Sequence, residues 1–194
     1  MAKSSIRDNL LARRRHLAVD TCLSWSRQAQ QRLIDTEVFG GAQTLALYSP
    51  INNEVFTEDL FAAAQAAKKR VAYPRVQGQS LVFVEVAGRG QLVHGRFGIL
   101  EPAGDRIVSA ADLDLLVLPG VAFDARGHRL GYGKGFYDRS LQQVRGRGIR
   151  VGLCFEFQRV DALPAEAHDV PMDLVVTEMG IFPANNPGHG RANL

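Results

Sequence analysis

The amino-acid sequence predicts an α/β protein with three layers, α/β/α, in which helices cover both faces of a mostly parallel or mixed central sheet. Two observations support this fold class. Several short segments, including the strand expected at Asp114–Leu118, are almost wholly apolar, as strands buried on both faces are, and helical segments separate them. The chain has 194 residues, 46% of them hydrophobic, which suffices for one compact core and excludes disorder throughout.

Capping residues and apolar periodicity predict the elements of the first half. Ser4 or Ser5 is expected to cap the first helix, because a serine hydroxyl can accept from a free backbone N–H. Thr57, followed by two acidic residues, is expected to begin a later helix for the same reason. The expected elements are a first helix with Ile6, Leu10, Leu11 and Leu17 on its apolar face, a helix over Ser24–Thr36, a strand over Thr44–Tyr48, the helix from Thr57 to about Lys69, and a strand over Arg70–Tyr73.

The second half is expected to contain a helix over Gly135–Val144 and strands over Ser80–Val86, Asp114–Leu118, Arg150–Phe155 and Leu174–Thr177. No internal repeat or linker divides the sequence, so residues 1–183 are interpreted as one domain. The segment 184–194, rich in Asn, Gly and Pro, is expected to be a disordered tail.

Two classes of protein are excluded. The longest apolar stretch, 113–123, is interrupted by Asp114 and Pro119, which argues against a membrane span, and the N-terminal residues lack the apolar region of a secretory signal. Cys22 and Cys154 are far apart, so they are interpreted as buried thiols rather than as a disulfide or zinc ligands. These features predict a cytoplasmic location.

Basic residues are concentrated in two islands. Residues 1–19 carry five basic groups against one acidic group, and residues 126–150 carry seven against one, whereas the whole chain has a net charge of only +3. Compact basic islands on an acidic background favour a small polyanion as ligand over a long nucleic acid. Arg13, Arg14 and Arg15 are interpreted as a solvated helix face, the usual position of a run of charges.

The segment 118–139 carries the residue types that bind phosphate. It lies between a predicted buried strand and a predicted helix, where open α/β sheets bind ligands and a helix offers free N–H groups. Arg129 and Lys134 are the cations expected to contact phosphate oxygens, and Asp138 is a candidate magnesium ligand. Close approach of the backbone to a ligand is favoured by the alternating Gly131, Gly133 and Gly135.

This loop is not a Walker phosphate-binding loop. His128 stands where the first glycine of that motif should fall, and Gly135 stands where Ser or Thr should follow the lysine. The five histidines of the chain show no metal-binding spacing, so none is assigned a catalytic role.

Four further elements occur in order with this loop, and the set resembles the signature of the 5-formyltetrahydrofolate cyclo-ligase family. The resemblance covers nearly the whole chain and ends before the polar tail. The elements are Lys3-Ser4-Ser5-Ile6-Arg7, Tyr48-Ser49-Pro50 with Glu54, Val55 and Thr57, Gly98-Ile99-Leu100-Glu101-Pro102, and His168-Asp169-Val170-Pro171-Met172-Asp173.

The resemblance implies an ATP-driven cyclisation that requires magnesium. In this family the formyl oxygen of 5-formyltetrahydrofolate attacks the γ-phosphate and gives a phosphorylated intermediate. A neighbouring nitrogen then closes the ring and phosphate leaves, which yields 5,10-methenyltetrahydrofolate, ADP and phosphate. This route agrees with the residues, because phosphoryl transfer depends mainly on positioning and on neutralising charge.

The resemblance also implies the role of each site residue. Lys134 and Arg129 would neutralise charge during transfer, and Asp138 and Asp173 would share one magnesium ion. The folate would contact Ser49, Glu54 and Phe136. ATP would be held by Lys3, Ser4, Ser5, Ile6, Arg7, Arg129, Leu130, Gly131, Tyr132, Gly133, Lys134, Gly135, Phe136 and Tyr137.

One position departs from the family pattern, in which two tyrosines often stand where this chain has Phe136-Tyr137. A phenylalanine ring can stack on a pterin but cannot donate a hydrogen bond. The alternatives that the residues leave open are another phosphate-binding α/β enzyme, such as a sugar-phosphate isomerase, and a non-catalytic folate or RNA binder. The chain is otherwise expected to act as a monomer on small molecules, with no membrane or nucleic-acid partner.

Overall fold

The computed structural model describes residues 2–95, 98–142, 148–166 and 169–185. An eight-stranded mixed sheet forms its centre, which confirms the predicted fold class. The helices are α1 (Lys3–Arg15), α2 (Val19–Ile34), α3 (Glu37–Gly41), α4 (Glu58–Ala66) and α5 (Phe136–Gln142). The strands are β1 (Thr44–Ala46), β2 (Arg70–Gln77), β3 (Ser80–Glu85), β4 (Leu92–His94), β5 (Leu100–Pro102), β6 (Ile107–Val108), β7 (Leu115–Leu118), β8 (Ala122–Asp124), β9 (Arg129–Leu130), β10 (Ile149–Leu153), β11 (Arg159–Val160), β12 (Leu174–Val176) and β13 (Ile181–Pro183).

The central sheet has the strand order β13-β12-β10-β7-β1-β2-β3-β6. Its five middle strands, from β12 to β2, are parallel, whereas β13 and the pair β3 and β6 are added in antiparallel orientation. Strands β1, β7 and β12 are buried at every position, because both faces of the sheet are covered. Strand β7 is buried at all four positions, as its continuous apolar sequence predicts.

The two faces of the sheet bury alternate residues of each strand. Leu115 and Val117 of β7 pack with apolar residues of α2, α3 and α4 on one face. Leu116 and Leu118 pack on the opposite face with Phe123 of β8 and residues of α5. The sheet therefore has a helical layer on one side and a layer of α5 and β8 on the other.

Helix α1 packs outside this sandwich, against a small three-stranded sheet with the order β11-β8-β9. Leu10 of α1 is buried with Val121, Ala122 and Leu130, and Ile6 packs against the same group. This packing places the basic residues of α1 beside the loop that follows β9. The two basic islands of the sequence therefore lie next to each other.

The expected hydroxyl caps were wrong at both helix starts. Helix α1 begins at Lys3, one residue before Ser4, with Ala2 at the cap position and no side-chain hydrogen bond there. Thr57 does precede α4, but its hydroxyl donates to Tyr48 O (2.9 Å) instead. Gln30 of α2 supplies the cap, because its Oε1 accepts from the backbone N–H groups of Asp59 and Leu60, which a local pattern could not predict.

Other expected boundaries shifted by a few residues. The second helix begins at Val19 rather than Ser24, and a separate short helix, α3, follows it. The first two residues of the predicted tail are hydrogen-bonded to the domain: Ala184 N donates to Asp173 O and Asn185 N donates to Ala125 O (both 2.9 Å). The remainder of that tail, 186–194, lies outside the described residues.

Cys22 and Cys154 are both free thiols and both buried, which confirms their interpretation from the sequence. Within the described part of the chain, no helix is both long enough and apolar enough to cross a membrane.

The core leaves no room for a side chain at Gly152 of β10. A methyl group there would lie 2.3 Å from Cε1 of Phe123, a residue with no exposed surface. We expect Gly152→Ala to lower the free energy of unfolding by about 1–3 kcal/mol, because overpacking a dense core forces its neighbours to move. Urea denaturation checks this, with Gly88→Ala as the control, since a methyl group at Gly88 meets nothing within 4 Å. Equal losses in the two variants would contradict the packing argument.

Candidate active site

The order of strands along the sheet reverses between β1 and β7. From β1 the chain proceeds outward to β2, whereas from β7 it proceeds in the other direction, to β10 and β12. The loops that follow β1 and β7 therefore leave the sheet in opposite directions and open a crevice between them. Ligands of open α/β sheets bind at such a position.

Arg14 of α1 occupies this crevice and is 1% exposed. Its Nε donates to Asn52 O (2.8 Å) in the loop after β1, and one terminal nitrogen donates to Gly120 O (3.2 Å) in the loop after β7. The other terminal nitrogen donates to the hydroxyl of Tyr132 in the glycine loop. The interpretation of Arg13, Arg14 and Arg15 as a solvated face is thus wrong for Arg14.

The other two arginines of the run are exposed. The guanidinium of Arg13 lies 4.5 Å from the ring centroid of Phe157. A helical stripe was the signal that could have separated Arg14 from them, because Lys3, Arg7, Leu10 and Arg14 recur at intervals of four, three and four residues.

Glu54 lies beside Arg14 and is only 4% exposed, which excludes a solvated surface acid. Its Oε2 accepts from Ile51 N (3.0 Å), and its Oε1 lies 3.8 Å from a terminal nitrogen of Arg14. No described residue donates a hydrogen bond to that Oε1. Burial raises the pKa of the Glu54 carboxyl to about 7, and the positive charge of Arg14, the bond from Ile51 and the nearby hydroxyl of Tyr132 offset part of this rise.

The glycine loop is bonded to α1 through the side chain of Arg7 as well as through that of Arg14. Arg7 Nε donates to Gly131 O (2.9 Å), and the Arg7 guanidinium lies over Gly133, 3.6 Å from where a Cβ would stand. Gly133 and Gly135 have positive φ angles of 94° and 64°, which other residues adopt rarely. These contacts confirm that the two basic islands meet, although Arg145 and Arg147 of the second island lie outside the described residues.

Arg129 and Asp138 form an ion pair at the base of the loop. A terminal nitrogen of Arg129 donates to Asp138 Oδ1 (3.0 Å) and the other donates to Pro119 O (3.3 Å), while its buried Nε has no partner among the described residues. The guanidinium lies 5.2 Å from the ring centroid of Tyr137. Arg129 is thus packed beneath the loop, whereas the predicted second cation, Lys134, is exposed.

Lys3 joins α1 to the late acidic motif. Its Nζ lies 2.7 Å from Glu166 Oε1 and 3.6 Å from Asp169 Oδ2. The hydrogen bond to Glu166 is the main cause of a raised pKa at Lys3. Ser4 and Ser5 are exposed on the same turn. His168 of the acidic motif lies outside the described residues.

The two carboxylates predicted to bind magnesium occupy different surroundings. Asp138 is one-fifth exposed, and its Oδ1 also accepts from Val170 N (3.5 Å). Asp173 accepts at both oxygens from the guanidinium of Arg150 and at Oδ2 from Arg150 N (2.8 to 2.9 Å). Asp138 therefore fits a metal ligand more readily than Asp173 does. Their sharing of one ion stays a prediction.

The described residues contain no group of three or more His, Cys, Asp or Glu side chains placed to hold a metal. This is compatible with magnesium, which binds through one or two carboxylates and keeps water and phosphate oxygens as its other ligands.

Ser49 lies near the start of the loop that follows β1, and its hydroxyl donates to Leu100 O (2.6 Å) in the hairpin of β4 and β5. This bond connects the predicted Gly-Ile-x-Glu-Pro element to the crevice. Arg96 and Phe97, just before that element, lie outside the described residues. Phe136 is half-buried at the start of α5, and the guanidinium of Arg139 lies 5.3 Å from its ring centroid.

Comparison with known proteins agrees with the resemblance. The model of the 5-formyltetrahydrofolate cyclo-ligase family matches residues 1–178. The 5-formyltetrahydrofolate cyclo-ligase of Escherichia coli K12 is 35% identical over 176 residues, which cover 88% of this chain and 97% of that protein. The 5,10-methenyltetrahydrofolate synthetase of Aquifex aeolicus superposes with a TM-score of 0.86 at 35% identity, covering 100% and 97% of the two chains. That of Mycoplasma pneumoniae superposes with a TM-score of 0.76 at 27% identity, covering 92% and 99%.

The buried carboxyl of Glu54 makes stability depend on pH. Because its pKa is raised above the ordinary value of 4.5, the folded state holds its proton more tightly than the unfolded state, and stability is lost as pH rises from about 4.5 to 7. Glu54→Gln removes this loss. We expect the free energy of unfolding of Glu54→Gln, relative to the unsubstituted protein, to rise by up to about 3 kcal/mol between pH 4.5 and pH 8. Denaturation at both pH values measures it, and a difference that does not change with pH would contradict the burial of an ionisable Glu54.

Proposed function

We propose a function from one premise, that this chain belongs to the 5-formyltetrahydrofolate cyclo-ligase family. The proposed reaction is the ATP- and magnesium-dependent cyclisation of 5-formyltetrahydrofolate to 5,10-methenyltetrahydrofolate, with release of ADP and phosphate. One observation carries the proposal beyond the comparisons: the loop with Glu54 and the basic glycine loop meet at the reversal of strand order, where Arg14 bonds to both. Two reactants could be held together there.

The reaction needs the formyl oxygen and the γ-phosphate to be brought together. The amide-like formyl group is a poor electrophile and its oxygen a poor leaving group, and phosphorylation of that oxygen relieves both difficulties. The protein would contribute chiefly position and positive charge, as in other phosphoryl transfers. In the proposed second step, the neighbouring nitrogen of the folate attacks the formyl carbon and releases its proton, the carbon–oxygen bond breaks, and the formyl oxygen leaves as part of the phosphate, which can take up that proton.

The nucleotide side of the proposed site is α1 together with the glycine loop. Lys3, Arg7 and Lys134 are cations that ATP oxygens could contact, and Gly133 and Gly135 keep the loop free of side chains that would obstruct a phosphate. The ion pair of Lys3 with Glu166 is partly exposed, so phosphate oxygens could replace the carboxylate at modest cost. Ser4, Ser5 and Ile6 would act through the backbone and the packing of α1.

Arg129 is proposed to act from beneath the loop. Its side chain is 5% exposed, and its ion pair with Asp138 holds it close to the start of α5. A buried cation contributes more to stabilising developing charge than an exposed one, because water screens it less.

The folate side of the proposed site is the loop after β1. The Oε1 atom of Glu54 is a buried acceptor without a donor among the described residues, and such an atom costs free energy until a partner is supplied. An N–H group of the substrate would supply it. The ring of Phe136 could stack on the pterin, and Ser49, whose hydroxyl proton is engaged, could still accept a hydrogen bond.

Magnesium is proposed to enter with ATP, with Asp138 as its principal protein ligand and Asp173 as a second. When bound, the ion would neutralise part of the phosphate charge. Asp138 would then be held in position by Arg129. The protein is also proposed to be cytoplasmic and monomeric, as the sequence predicts.

Release of phosphate from ATP that depends on added 5-formyltetrahydrofolate tests the proposed reaction. We expect no release when either substrate is omitted or when magnesium is removed by a chelator. A sugar-phosphate isomerase and a non-catalytic folate or RNA binder would both release no phosphate from ATP in this assay. Absence of release with all components present would therefore overturn the proposal.

We expect Lys134→Ala to lower turnover at saturating ATP by about 100- to 1000-fold, because its ammonium group would stabilise charge that develops during transfer. Its exposure means that the fold should be unaffected. Steady-state kinetics measures the effect, and circular dichroism checks the fold. The control is Arg27→Ala, which removes an exposed charge from α2, remote from the loop in sequence. Near-normal turnover of Lys134→Ala would contradict the role of this cation.

Deletion of residues 1–7 is expected to weaken ATP binding severely, because it removes both Lys3 and Arg7. Most of the stability should remain, since Leu10 of α1 stays buried against the small sheet. Calorimetric titration with ATP gives the affinity. The double substitution Lys3→Ala and Arg7→Ala, which retains Ile6, should reproduce the loss, whereas Arg15→Ala at the exposed end of α1 should not. Unchanged affinity after deletion would make Lys3 and Arg7 a solvated face only.

A further inference from the structure

The guanidinium of Arg14 is the most deeply buried charge of the crevice, and the family signature assigned it no role. It bonds to one atom in each of three separate loops: Asn52 O, Gly120 O and the Tyr132 hydroxyl. Asn53 Nδ2 in turn donates to the backbone oxygen of Arg14 (3.1 Å). A buried cation is costly unless it is paired, and two backbone carbonyls and one hydroxyl supply partners to Arg14.

The contact of Arg14 with Glu54 is electrostatic. The nearest nitrogen and oxygen are 3.8 Å apart, within the range of an ion pair but beyond that of a hydrogen bond. The nitrogen that faces Glu54 already donates to Tyr132. The positive charge of Arg14 therefore stabilises the Oε1 atom, which can still accept a hydrogen bond from a ligand.

The other titratable groups that influence Glu54 carry no opposing charge. Tyr132 of the glycine loop, Tyr48 at the end of the segment from β1, and Tyr137 of α5 all interact with Glu54, and burial raises the pKa of each of the three hydroxyls. All three are neutral near pH 7. Arg14 is thus the cation that opposes protonation of Glu54, and two neutral donors, Ile51 N and the Tyr132 hydroxyl, act in the same direction.

We propose that Arg14 is a positioning residue that favours the ionised form of Glu54, leaves its carboxylate open to the substrate, and fixes Tyr132 at the mouth of the crevice. The substrate named here rests on the function proposed above. Arg14 would act in two separable ways. Its charge favours the ionised form of Glu54, and its planar fork holds the glycine loop against the loop after β1.

A titration of Glu54 tests the effect of charge without requiring any activity. The carboxyl pKa can be followed by NMR in protein labelled with ¹³C at the glutamate side chains, with Glu54→Gln to identify the signal. We expect Arg14→Met to raise the Glu54 pKa by one unit or more, a tenfold or larger fall in the ionisation constant. Arg14→Lys should keep the pKa close to that of the unsubstituted protein. Arg13→Met, the matched control from the exposed neighbour, should leave it unchanged.

Kinetics tests whether this charge positions the substrate. As pH falls, kcat/KM for 5-formyltetrahydrofolate should decline as Glu54 is protonated, and in Arg14→Met this decline should begin at a pH higher by the same interval as the NMR shift. Arg14→Lys should leave the pH of the decline unchanged but raise KM for the folate about tenfold, because the fork is lost. Tyr132→Phe, which removes the hydroxyl that Arg14 holds, should raise KM in the same direction.

If Arg14→Met folds, either of two results would overturn the proposal. The first is an unshifted Glu54 pKa in Arg14→Met. The second is a uniform fall of kcat/KM at every pH, with no displacement of its decline, which would make Arg14 a purely structural residue. Should Arg14→Met not fold, the KM of Arg14→Lys decides, and an unchanged KM overturns the proposal. Absence of activity in the unsubstituted protein would instead count against the proposed function, since the NMR titration would still decide the coupling of Arg14 to Glu54.

Discussion

The arrangement of the crevice depends on the burial of a single guanidinium, that of Arg14, where the strand order of the sheet reverses. Three loops lie at this position, and each presents an oxygen that accepts from Arg14. An arginine suits this position because its planar group offers five donors in fixed directions, whereas a lysine offers a compact charge. Since leaving such a group unpaired in the interior is costly, the three loops must stay in place for the charge to be tolerated.

Helix α1, which carries Arg14, is positioned by its apolar residues. Its apolar residues pack on the small sheet of β8, β9 and β11, and its basic residues then lie along the glycine loop and the late acidic motif. The helix thus contributes cations to a site whose other parts come from distant segments of the chain. Its N-terminal position in the sequence says nothing of this, because only the packing of Leu10 and Ile6 directs the helix there.

Glu54 shows how burial and charge act against each other in this crevice. Removal from water favours the neutral acid, and the neighbouring cation favours the carboxylate, which leaves the pKa near 7. The carboxyl group is therefore close to balance between its two forms at physiological pH. Small changes in its surroundings would alter its charge, and such a balance is common where a group must interact with a ligand.

The fold class and six of the eight strands of the central sheet could be predicted from local sequence, because apolar runs such as Leu115–Leu118 must be buried on both faces of a sheet. The glycine loop with its cations and the resemblance to a family were also readable, since they are contiguous motifs. The cap that Gln30 provides for α4 and the burial of Arg14 were not. Both join residues far apart in sequence, and a side chain's partner across the fold leaves no local pattern. The sequence by itself determined the fold class and the parallel strands of the central sheet, while only the tertiary structure decided which charges are buried, because burial depends on how distant segments pack.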